Sequence, residues 1–340
     1  FFFGHLGELY TVVCSQTDAI LVATGGGDNK AFMWKIGQGD WALELNGHQD
    51  SVSSLSFSAD GRFLASGSLD GVVKIWDATD GHLHRTLEGP SGAIEWVKWH
   101  PVKHFLLAGS EDSLCWIWNV DGDGRLRVFA GHGSSVTCGD FTPDGQRICT
   151  CSDDATMRIW DARTANIIHV VKGHPYHTEG ITSLTINSDS TLALTGSSDG
   201  SVHVVNIATG KVVSSLTSHS DSVECAAFEP SSRGDNWRVA TGALDKKLVI
   251  WDQQSTSPRC ICEHEEGVAC LVWLGRGRYV ATGCLDGMVR IWDGLSGNCL
   301  RELHGHSDAI QGLGVSGNGD FLVSVSIDGT ARAFEVAEFR

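Results

Sequence analysis

Proline is scarce in this sequence, and long apolar runs are missing. The chain of 340 residues has 6 prolines against 41 glycines. That ratio favours many tight turns between short strands over long helices. No apolar run approaches the ~20 residues that a bilayer-spanning helix requires, and the opening segment FFFGHLGELY has no basic leader, so we expect no membrane span.

Positive charge is also in short supply. Lysine and arginine together number 25 against 41 acidic residues, which gives a net charge of −16. Such a surface repels the phosphates of nucleic acids and membranes and attracts basic ligands. We therefore expect a basic protein or peptide as partner, and no direct binding of nucleic acid.

The cysteines lack the spacing of a metal or redox site. There are 11, and the close pairs Cys149 with Cys151 and Cys260 with Cys262 are separated by one residue, not by the two of a C-x-x-C motif. A D-x-D-x-D-G calcium loop is absent as well. We expect reduced thiols that pack as small apolar side chains, no metal and no cofactor. A cytoplasmic location fits this pattern, with the nucleus as a second compartment.

One short pattern recurs along the whole chain. LDGVVKIWDATDG at 69–81 returns as LDGMVRIWDGLSG at 285–297, and its alternating apolar residues between Asp-Gly turns indicate a strand, a turn and a strand. The repeats align on Trp34, Trp76, Trp118, Trp160, Val205, Trp251, Trp292 and Phe334. Six residues before each of these positions stands an aspartate: Asp28, Asp70, Asp112, Asp154, Asp199, Asp245, Asp286 and Asp328.

This period, with its Gly-His and Trp-Asp marks, is typical of WD repeats, each of which forms a blade of four antiparallel strands. We therefore predict an all-β fold, a single eight-bladed WD-repeat β-propeller over residues 1–340. The repeats are expected at about 4–36, 47–78, 89–120, 131–162, 173–207, 218–253, 263–294 and 305–336. The last repeat lacks residues for a fourth strand, so we expect the N-terminal strand, Phe1–Phe3, to pair with the eighth blade and close the ring.

Seven of the eight repeats also carry a histidine, usually in Gly-His, and a serine or threonine. Aspartate, histidine and a hydroxyl together resemble a hydrolase triad, but an enzyme needs one activated nucleophile and not several equivalent ones. We interpret these residues as buried hydrogen-bond networks that end on the tryptophan indole, and we expect no enzymatic activity. The clearest networks are Asp70, His48, Ser66 and Trp76; Asp154, His132, Thr150 and Trp160; and Asp286, His264, Thr282 and Trp292.

The fifth repeat follows this pattern, and the third departs from it. In the fifth we assign the histidine to His174, which follows a glycine as in most repeats. The third has Gly89-Pro90 in place of Gly-His and Ala108 in place of the hydroxyl residue. We expect this blade to be the least constrained by polar contacts.

Acidic residues recur at three repeat positions that a propeller places around one mouth of its central channel. Asp50, Glu179, Asp221, Glu266 and Asp308 lie two residues before an inner strand's first apolar residue, Tyr10, Glu95 and Glu224 directly follow that residue, and Glu111 and Asp153 precede the repeated aspartate. None of these positions carries lysine or arginine in any repeat. We predict an acidic funnel with Tyr10 and Trp96 as aromatic surface, which captures the Arg and Lys side chains of an extended peptide.

One further motif suggests an alternative. WDAR at 160–163 resembles the W-D-x-R box by which some WD-repeat proteins dock on the adaptor of a cullin-RING ubiquitin ligase. The resemblance makes Arg163 the contact residue and the protein a substrate receptor.

The third repeat is the least generic. Its segment IEWVKWHP at 94–101, together with TCGDFTPDGQRI at 137–148 and TGSSDGSVHVVNIATGKVV at 195–213, resembles the angio-associated migratory cell protein family, which includes a fungal chaperone of a large-subunit ribosomal protein. The resemblance implies a scaffold that holds a basic segment of a ribosomal protein during ribosome assembly, and we expect a non-catalytic monomer. In animals the family is linked to cell migration and signalling, which leaves a signalling scaffold as another alternative.

Overall fold

The computed structural model describes residues 2–39, 41–122, 126–234, 236–253 and 257–340. Strands account for nearly all of its regular structure, and the one helix assigned in this part of the chain is a short 3₁₀ turn at Ala337–Phe339. No helix in these ranges is long and apolar enough to cross a membrane.

The strands form eight antiparallel sheets in chain order, each a blade that runs from an inner to an outer strand. Blades 1 to 4 consist of β1 (Leu9–Cys14), β2 (Leu21–Gly26), β3 (Ala31–Lys35) and β4 (Ala42–Leu45); β5 (Val52–Phe57), β6 (Phe63–Ser68), β7 (Val73–Asp77) and β8 (Leu83–Leu87); β9 (Ile94–Trp99), β10 (Phe105–Ser110), β11 (Leu114–Asn119) and β12 (Leu126–Ala130); and β13 (Cys138–Phe141), β14 (Arg147–Cys151), β15 (Met157–Asp161) and β16 (Ile167–Val171).

Blades 5 to 8 follow the same order, and the last has three strands. They consist of β17 (Ile181–Ile186), β18 (Leu192–Ser197), β19 (Val202–Asn206) and β20 (Lys211–Leu216); β21 (Val223–Phe228), β22 (Arg238–Ala243), β23 (Lys247–Asp252) and β24 (Cys260–Glu263); β25 (Val268–Leu274), β26 (Tyr279–Cys284), β27 (Val289–Asp293) and β28 (Cys299–Leu303); and β29 (Ile310–Val315), β30 (Phe321–Ser326) and β31 (Ala331–Glu335). The predicted all-β, eight-bladed propeller is confirmed.

Burial within a blade follows from its position between two neighbours. Every residue of β6 is buried, because both faces of the second strand pack against adjacent blades, whereas the outermost strand β8 is mostly exposed. Close approach of blade 1 to blade 2, and of blade 2 to blade 3, requires glycine in the second strand of the earlier blade. A Cβ atom on Gly25 would lie 2.6 Å from Val52, and one on Gly67 would lie 2.6 Å from Ile94. The small residues of the repeat therefore set the spacing of the ring.

The ring is closed by the first residues that the structure describes. The inner strand β1 contacts both β5 and β29, so blade 1 packs against blades 2 and 8. Phe2 also pairs with the last strand, since its N–H donates to the Ala331 carbonyl at 2.9 Å and its carbonyl accepts from Ala331 at 3.2 Å. The Phe2 ring stacks on Trp34 with ring centroids 5.1 Å apart. Closure by the N-terminal segment is thus confirmed, and Phe1 lies outside the described residues.

The antiparallel order gives the ring two different faces. We call upper the face that carries the connections between blades and the turns between second and third strands. The lower face carries the hairpins between first and second strands and those between third and fourth strands. The repeated aspartates, which follow the second strand, therefore lie at the upper face.

Candidate peptide-binding face

The hydrogen-bond network of blade 2 fixes the direction of each proton. Trp76 Nε1 donates to Ser66 Oγ at 2.9 Å, Ser66 Oγ lies 2.8 Å from His48 Nε2, and His48 Nδ1 lies 3.1 Å from Asp70. Burial lowers the pKa of His48 below its ordinary value, so the imidazole is neutral. A neutral ring that accepts from Ser66 must donate from Nδ1 to the carboxylate of Asp70. Every side-chain polar group of this network then has a hydrogen-bond partner.

The aspartate at the end of this network ties the upper loops together. Asp70 accepts the backbone N–H of Gln49 at 2.8 Å, from the connection between blades, and that of Val72 at 2.9 Å, from its own turn. Blade 4 repeats the arrangement: Trp160 donates to Thr150 at 2.8 Å, Thr150 lies 2.8 Å from His132, and His132 lies 3.1 Å from Asp154. These groups tie the upper loops to their blades.

Blade 7 does not form the predicted network in full. His264 Nε2 lies 3.0 Å from Thr282, which accepts from Trp292 at 3.0 Å, but His264 Nδ1 points at the Cys262 carbonyl at 3.1 Å and not at Asp286. The guanidinium of Arg290 takes Asp286 instead, at 2.8 Å. A charged donor is the stronger partner of a carboxylate, and the expectation of a His264–Asp286 contact was wrong.

Blade 5 uses a different histidine from the one that we assigned. His174 is exposed, whereas His177 is buried with Nε2 2.8 Å from Thr195. The Nδ1 atom of His177 reaches Ser201 at 2.6 Å, and Ser201 donates to Asp199. The sequence separation could have identified His177. In blades 2, 4 and 8 the histidine and the aspartate are 22 residues apart, and His177, not His174, has that separation from Asp199.

Blade 3 replaces the histidine with a tryptophan. Trp116 Nε1 lies 3.2 Å from a carboxylate oxygen of Asp112, which also accepts the N–H of Ser91 at 3.0 Å. The ring fills the space over Gly89, where a Cβ atom would lie 2.8 Å from it. The aspartate therefore keeps a side-chain donor, and our expectation that polar contacts would constrain blade 3 least overlooked this substitution.

The three sets of predicted acidic positions converge on the upper face through one recurring backbone contact. The residue before each repeated aspartate donates its N–H to the residue that precedes the inner strand's first apolar position, as Glu111 does to Ala93 at 3.0 Å and Asp153 to Ser135 at 3.1 Å. The turn and the loop between blades are thereby held side by side. Acidic residues from both segments consequently surround the same mouth of the channel.

In blades 1, 3 and 6 a β-bulge sets the direction of the side chain that follows the first apolar residue of the inner strand. The pairing of β1 with β2 skips Tyr10, that of β9 with β10 skips Glu95, and that of β21 with β22 skips Glu224. Bulge residues leave the ladder and turn their side chains away from it. In blades 2 and 4 the same position holds Ser53 and Thr137, which each donate to a carbonyl of the following blade at 2.5 Å. Glu95 and Glu224 have no such partner in the described chain.

Glu95 lies beside two other carboxylates of the upper face. Partial burial, followed by the negative charges of Glu111 and Asp153, raises its pKa above the ordinary value, while a hydrogen bond from Ser135 at 3.4 Å opposes the shift. Three carboxylates therefore share one region between blades 3 and 4. A cation placed among them relieves their repulsion and replaces lost hydration.

The prediction that Trp96 offers an exposed aromatic surface was wrong. Only 7% of Trp96 is exposed, and its indole donates to the Val136 carbonyl at 2.8 Å. The ring packs where two glycines make room, since a Cβ on Gly109 would lie 2.2 Å and one on Gly139 2.4 Å from it. Trp96 therefore joins blades 3 and 4 and does not contact a ligand.

The remaining acidic positions are exposed, and one of them forms an ion pair with a lysine of this protein. Exposed members are Asp50, Asp221, Asp308, Glu179, Glu111 and Asp153. Glu266 forms an ion pair with Lys246 Nζ at 3.2 Å, so its charge is compensated from the neighbouring blade. Tyr10 is half-buried and donates to Glu8 at 2.8 Å, a carboxylate that our pattern omitted. Hydrogen bonding to Glu8 raises the pKa of Tyr10 above its ordinary value.

The cysteines and Arg163 lie outside the set of acidic positions described above. Within the described ranges no three His, Cys, Asp or Glu side chains gather to hold a metal ion. All eleven cysteines are free thiols. Arg163, the residue of the W-D-x-R motif, is exposed in the turn between β15 and β16. This turn lies on the lower face, opposite the acidic residues of the upper face.

Comparison with known proteins agrees with this architecture. The WD40 family (WD domain, G-beta repeat) matches seven segments: 40–77, 81–119, 124–161, 165–206, 210–252, 256–293 and 297–335. The first three strands, β1 to β3, precede these matches and form blade 1 together with β4, which brings the number of blades to eight. The molecule is thus a WD-repeat β-propeller.

Relatives define the family more narrowly. Angio-associated migratory cell protein of Homo sapiens and that of Canis lupus familiaris are each 34% identical over 345 residues, which cover 97% of this chain and 78% of the relative. The chain belongs to this family of WD-repeat proteins. Among solved structures, Chaetomium thermophilum Sqt1 bound to the N-terminus of the ribosomal protein L10 has a TM-score of 0.89 at 21% identity, and the designed Ika8 protein one of 0.85 at 25%, with 98% of both chains covered in each case. The Sqt1 likeness establishes the fold alone.

Proposed function

We propose that the upper face binds an extended cationic peptide, and that the protein is a non-catalytic chaperone for a basic segment of a large-subunit ribosomal protein. The observation that carries the proposal is the group of Glu95, Glu111 and Asp153, whose charges repel one another without a basic neighbour among the described residues. Arg or Lys side chains of a peptide would supply the missing cations. The contact residues are Glu95, Glu111, Asp153 and Glu224, with Tyr10 as stacking surface and Asp50, Asp221 and Asp308 as an outer ring.

The comparisons support the same class of partner. The Sqt1 structure holds the N-terminus of the ribosomal protein L10, and this chain shares the fold of that protein over 98% of its length. A rigid rim favours such binding, because the hydrogen-bond networks hold the upper loops before the peptide arrives. The proposed client is identified by its chemistry, as a newly made basic segment that needs shielding until assembly.

Titration with a short labelled Arg- and Lys-rich peptide, at low and at physiological salt, tests the proposal. We expect saturable binding that weakens steeply with salt, and much weaker binding of an uncharged peptide of the same length. Equal binding of both peptides would contradict a charge-based site. A pull-down from cytosol at both salt concentrations, read by mass spectrometry, then identifies the client, and recovery of basic ribosomal proteins is the expected result.

Two alternatives stay predictions. Docking on a ubiquitin-ligase adaptor rests on Arg163, which the fold leaves accessible, and Arg163→Ala would abolish recovery of the adaptor while the cationic peptide stays bound. A signalling scaffold would instead recover receptor tails or kinases from the same extract. Neither alternative makes use of the carboxylates of the upper face.

A further inference from the structure

A cleft on the lower face carries charge of the opposite sign. It has a volume of about 810 Å³ and lies between blades 3 and 4. Its floor contains Ile117 and Phe141, which are 7% and 4% exposed. Its edges carry the exposed side chains of Lys103, Arg127 and Arg163, from the β9–β10 hairpin, β12 and the β15–β16 turn. Three cations around an apolar floor are unusual on a protein of net charge −16.

These cations form no ion pair with a carboxylate in the described part of the chain. Among the described residues that line the cleft, Asp161 is the one carboxylate, and it accepts the N–H groups of Arg163 at 3.0 Å and Thr164 at 2.7 Å. Hydrogen bonds from Thr164, with a smaller contribution from the charge of Arg163, lower the pKa of Asp161 below its ordinary value. The Arg127 guanidinium donates to the carbonyls of Ala162 and Arg163, which are neutral acceptors. No ion pair joins Lys103, Arg127 or Arg163 to a carboxylate within the described ranges.

The two segments that carry the exposed cations are held in place. His100 Nδ1 accepts the N–H groups of Val102 and Lys103, each at 3.1 Å, and burial lowers the pKa of this histidine. A neutral imidazole therefore closes the hairpin that presents Lys103. On the other side, Arg127 fixes the turn that presents Arg163 through the carbonyls named above. The backbone that presents Lys103 and the backbone that presents Arg163 are thus held in place before a ligand binds.

We infer that this cleft binds an acidic peptide segment of a partner protein, with carboxylates on Lys103 and Arg163 and an apolar side chain against Phe141 and Ile117. Charge-assisted hydrogen bonds would give orientation, and the floor would bury the apolar side chain. A compact inorganic anion makes no use of an apolar floor, which favours a peptide. The site lies on the face opposite the proposed cationic-peptide site, so both segments bind simultaneously and independently.

A binding experiment with matched charge reversals tests this inference. The probe is a short labelled peptide that alternates Asp or Glu with Leu and Phe, and the reference peptide replaces the acids with Asn and Gln. Arg163→Glu and Lys103→Glu are compared with Arg276→Glu, an exposed arginine of the β25–β26 hairpin on the same face but outside the cleft. We expect each cleft variant to lose about tenfold or more in affinity and the control to stay within about twofold of wild type.

The cationic peptide separates this site from the upper one. All three variants are expected to bind it like wild type, so failure at one face leaves the other testable. Equal loss in the cleft variants and in Arg276→Glu would overturn the inference, as would equal binding of the Asn/Gln peptide. Displacement of the probe by inorganic phosphate alone, or self-association that Arg163→Glu abolishes, would overturn it in favour of a small-anion site or a second copy of the chain. If a charge reversal lowers the melting temperature, Arg163→Gln and Lys103→Gln carry the same comparison.

Discussion

Tyr176 Oη donates a hydrogen bond to Thr195 Oγ1 at 3.1 Å, inside blade 5. In blades 2, 4, 6 and 7 the equivalent hydroxyl accepts from a tryptophan indole. Blade 5 has Val205 at the tryptophan position, and Tyr176 comes from the loop between blades to supply both the ring and the donor. The polar network thus survives the loss of its usual tryptophan.

Removal of this hydroxyl should destabilise the fold. Tyr176→Phe leaves the ring in place but removes a buried donor, and we expect a loss of about 1 kcal/mol in the free energy of unfolding. Chemical denaturation monitored by tryptophan fluorescence measures it. Tyr279→Phe is the matched control, because no hydrogen bond of the Tyr279 hydroxyl is seen within the described ranges. Equal stabilities for the two variants would show that Tyr176 acts only through its ring.

The glycine at 139 should not tolerate a methyl group. Gly139→Ala places Cβ 2.4 Å from the buried Trp96 ring, so blades 3 and 4 must separate, at a cost of about 1–3 kcal/mol. Gly133→Ala is the control, since its nearest neighbours are 3.9 Å away. Thermal unfolding measures both. A stable Gly139→Ala variant would mean that the contact between these blades adapts more easily than its packing indicates.

Prediction from the sequence succeeded where every blade needs the same contacts. The aspartate and tryptophan recur because each blade must fix its own loops, so their spacing predicted eight blades and the network of blade 2. Departures were harder to foresee. His177 could have been identified from the sequence, because its separation from Asp199 matches that in other blades. The nearby Gly-His dipeptide led us to assign His174 instead.

The errors at the candidate site have physical causes that lie outside the local sequence. Trp96 is buried because two glycines on other strands, Gly109 and Gly139, leave room for its ring. The positions equivalent to Trp96 in the other blades hold small residues, so comparison of the repeats did not reveal this packing. Glu266 is neutralised because the lysine at 246 belongs to the blade before it. The lower cleft was missed because its cations come from three separate hairpins and strands.

The buried histidines should make stability depend on pH. Burial is the main cause that lowers the pKa of His177 to about 3 and those of His203 and His264 to about 4, from an ordinary value of 6.5. As the pH falls below 6.5 the unfolded chain binds protons that the folded chain does not, and stability is lost progressively toward pH 4. Above 6.5 this contribution is fully present.

Denaturation at a series of pH values tests this dependence. The free energy of unfolding is expected to fall from neutral pH to about pH 4.5, and more gently in His264→Gln, which removes one of the three groups. An unchanged free energy over that range would mean that these histidines titrate in the folded protein as they do in the unfolded chain.

The closing contact at Phe2 should matter for the whole ring. Phe2→Ala removes the ring that stacks on Trp34 and is expected to cost about 2 kcal/mol, whereas Leu6→Ala, at a side chain with 92% exposure, should cost little. Deletion of residues 1–3 removes the backbone pairing with Ala331 as well, and should lower the melting temperature by many degrees. An unchanged melting temperature in the deletion variant would contradict closure by this segment.

The affinity of charge-reversed variants for the cationic peptide tests the central claim most directly. Glu95→Lys and Glu224→Lys place positive charge at the two acidic bulge positions, and Glu263→Lys makes the same change on the outer strand β24. We predict a loss of about tenfold or more for each of the first two, with a shallower salt dependence, and a value within about twofold of wild type for the third, at equal melting temperatures. Wild-type affinity in both Glu95→Lys and Glu224→Lys would contradict the proposal that the acidic upper face holds the peptide.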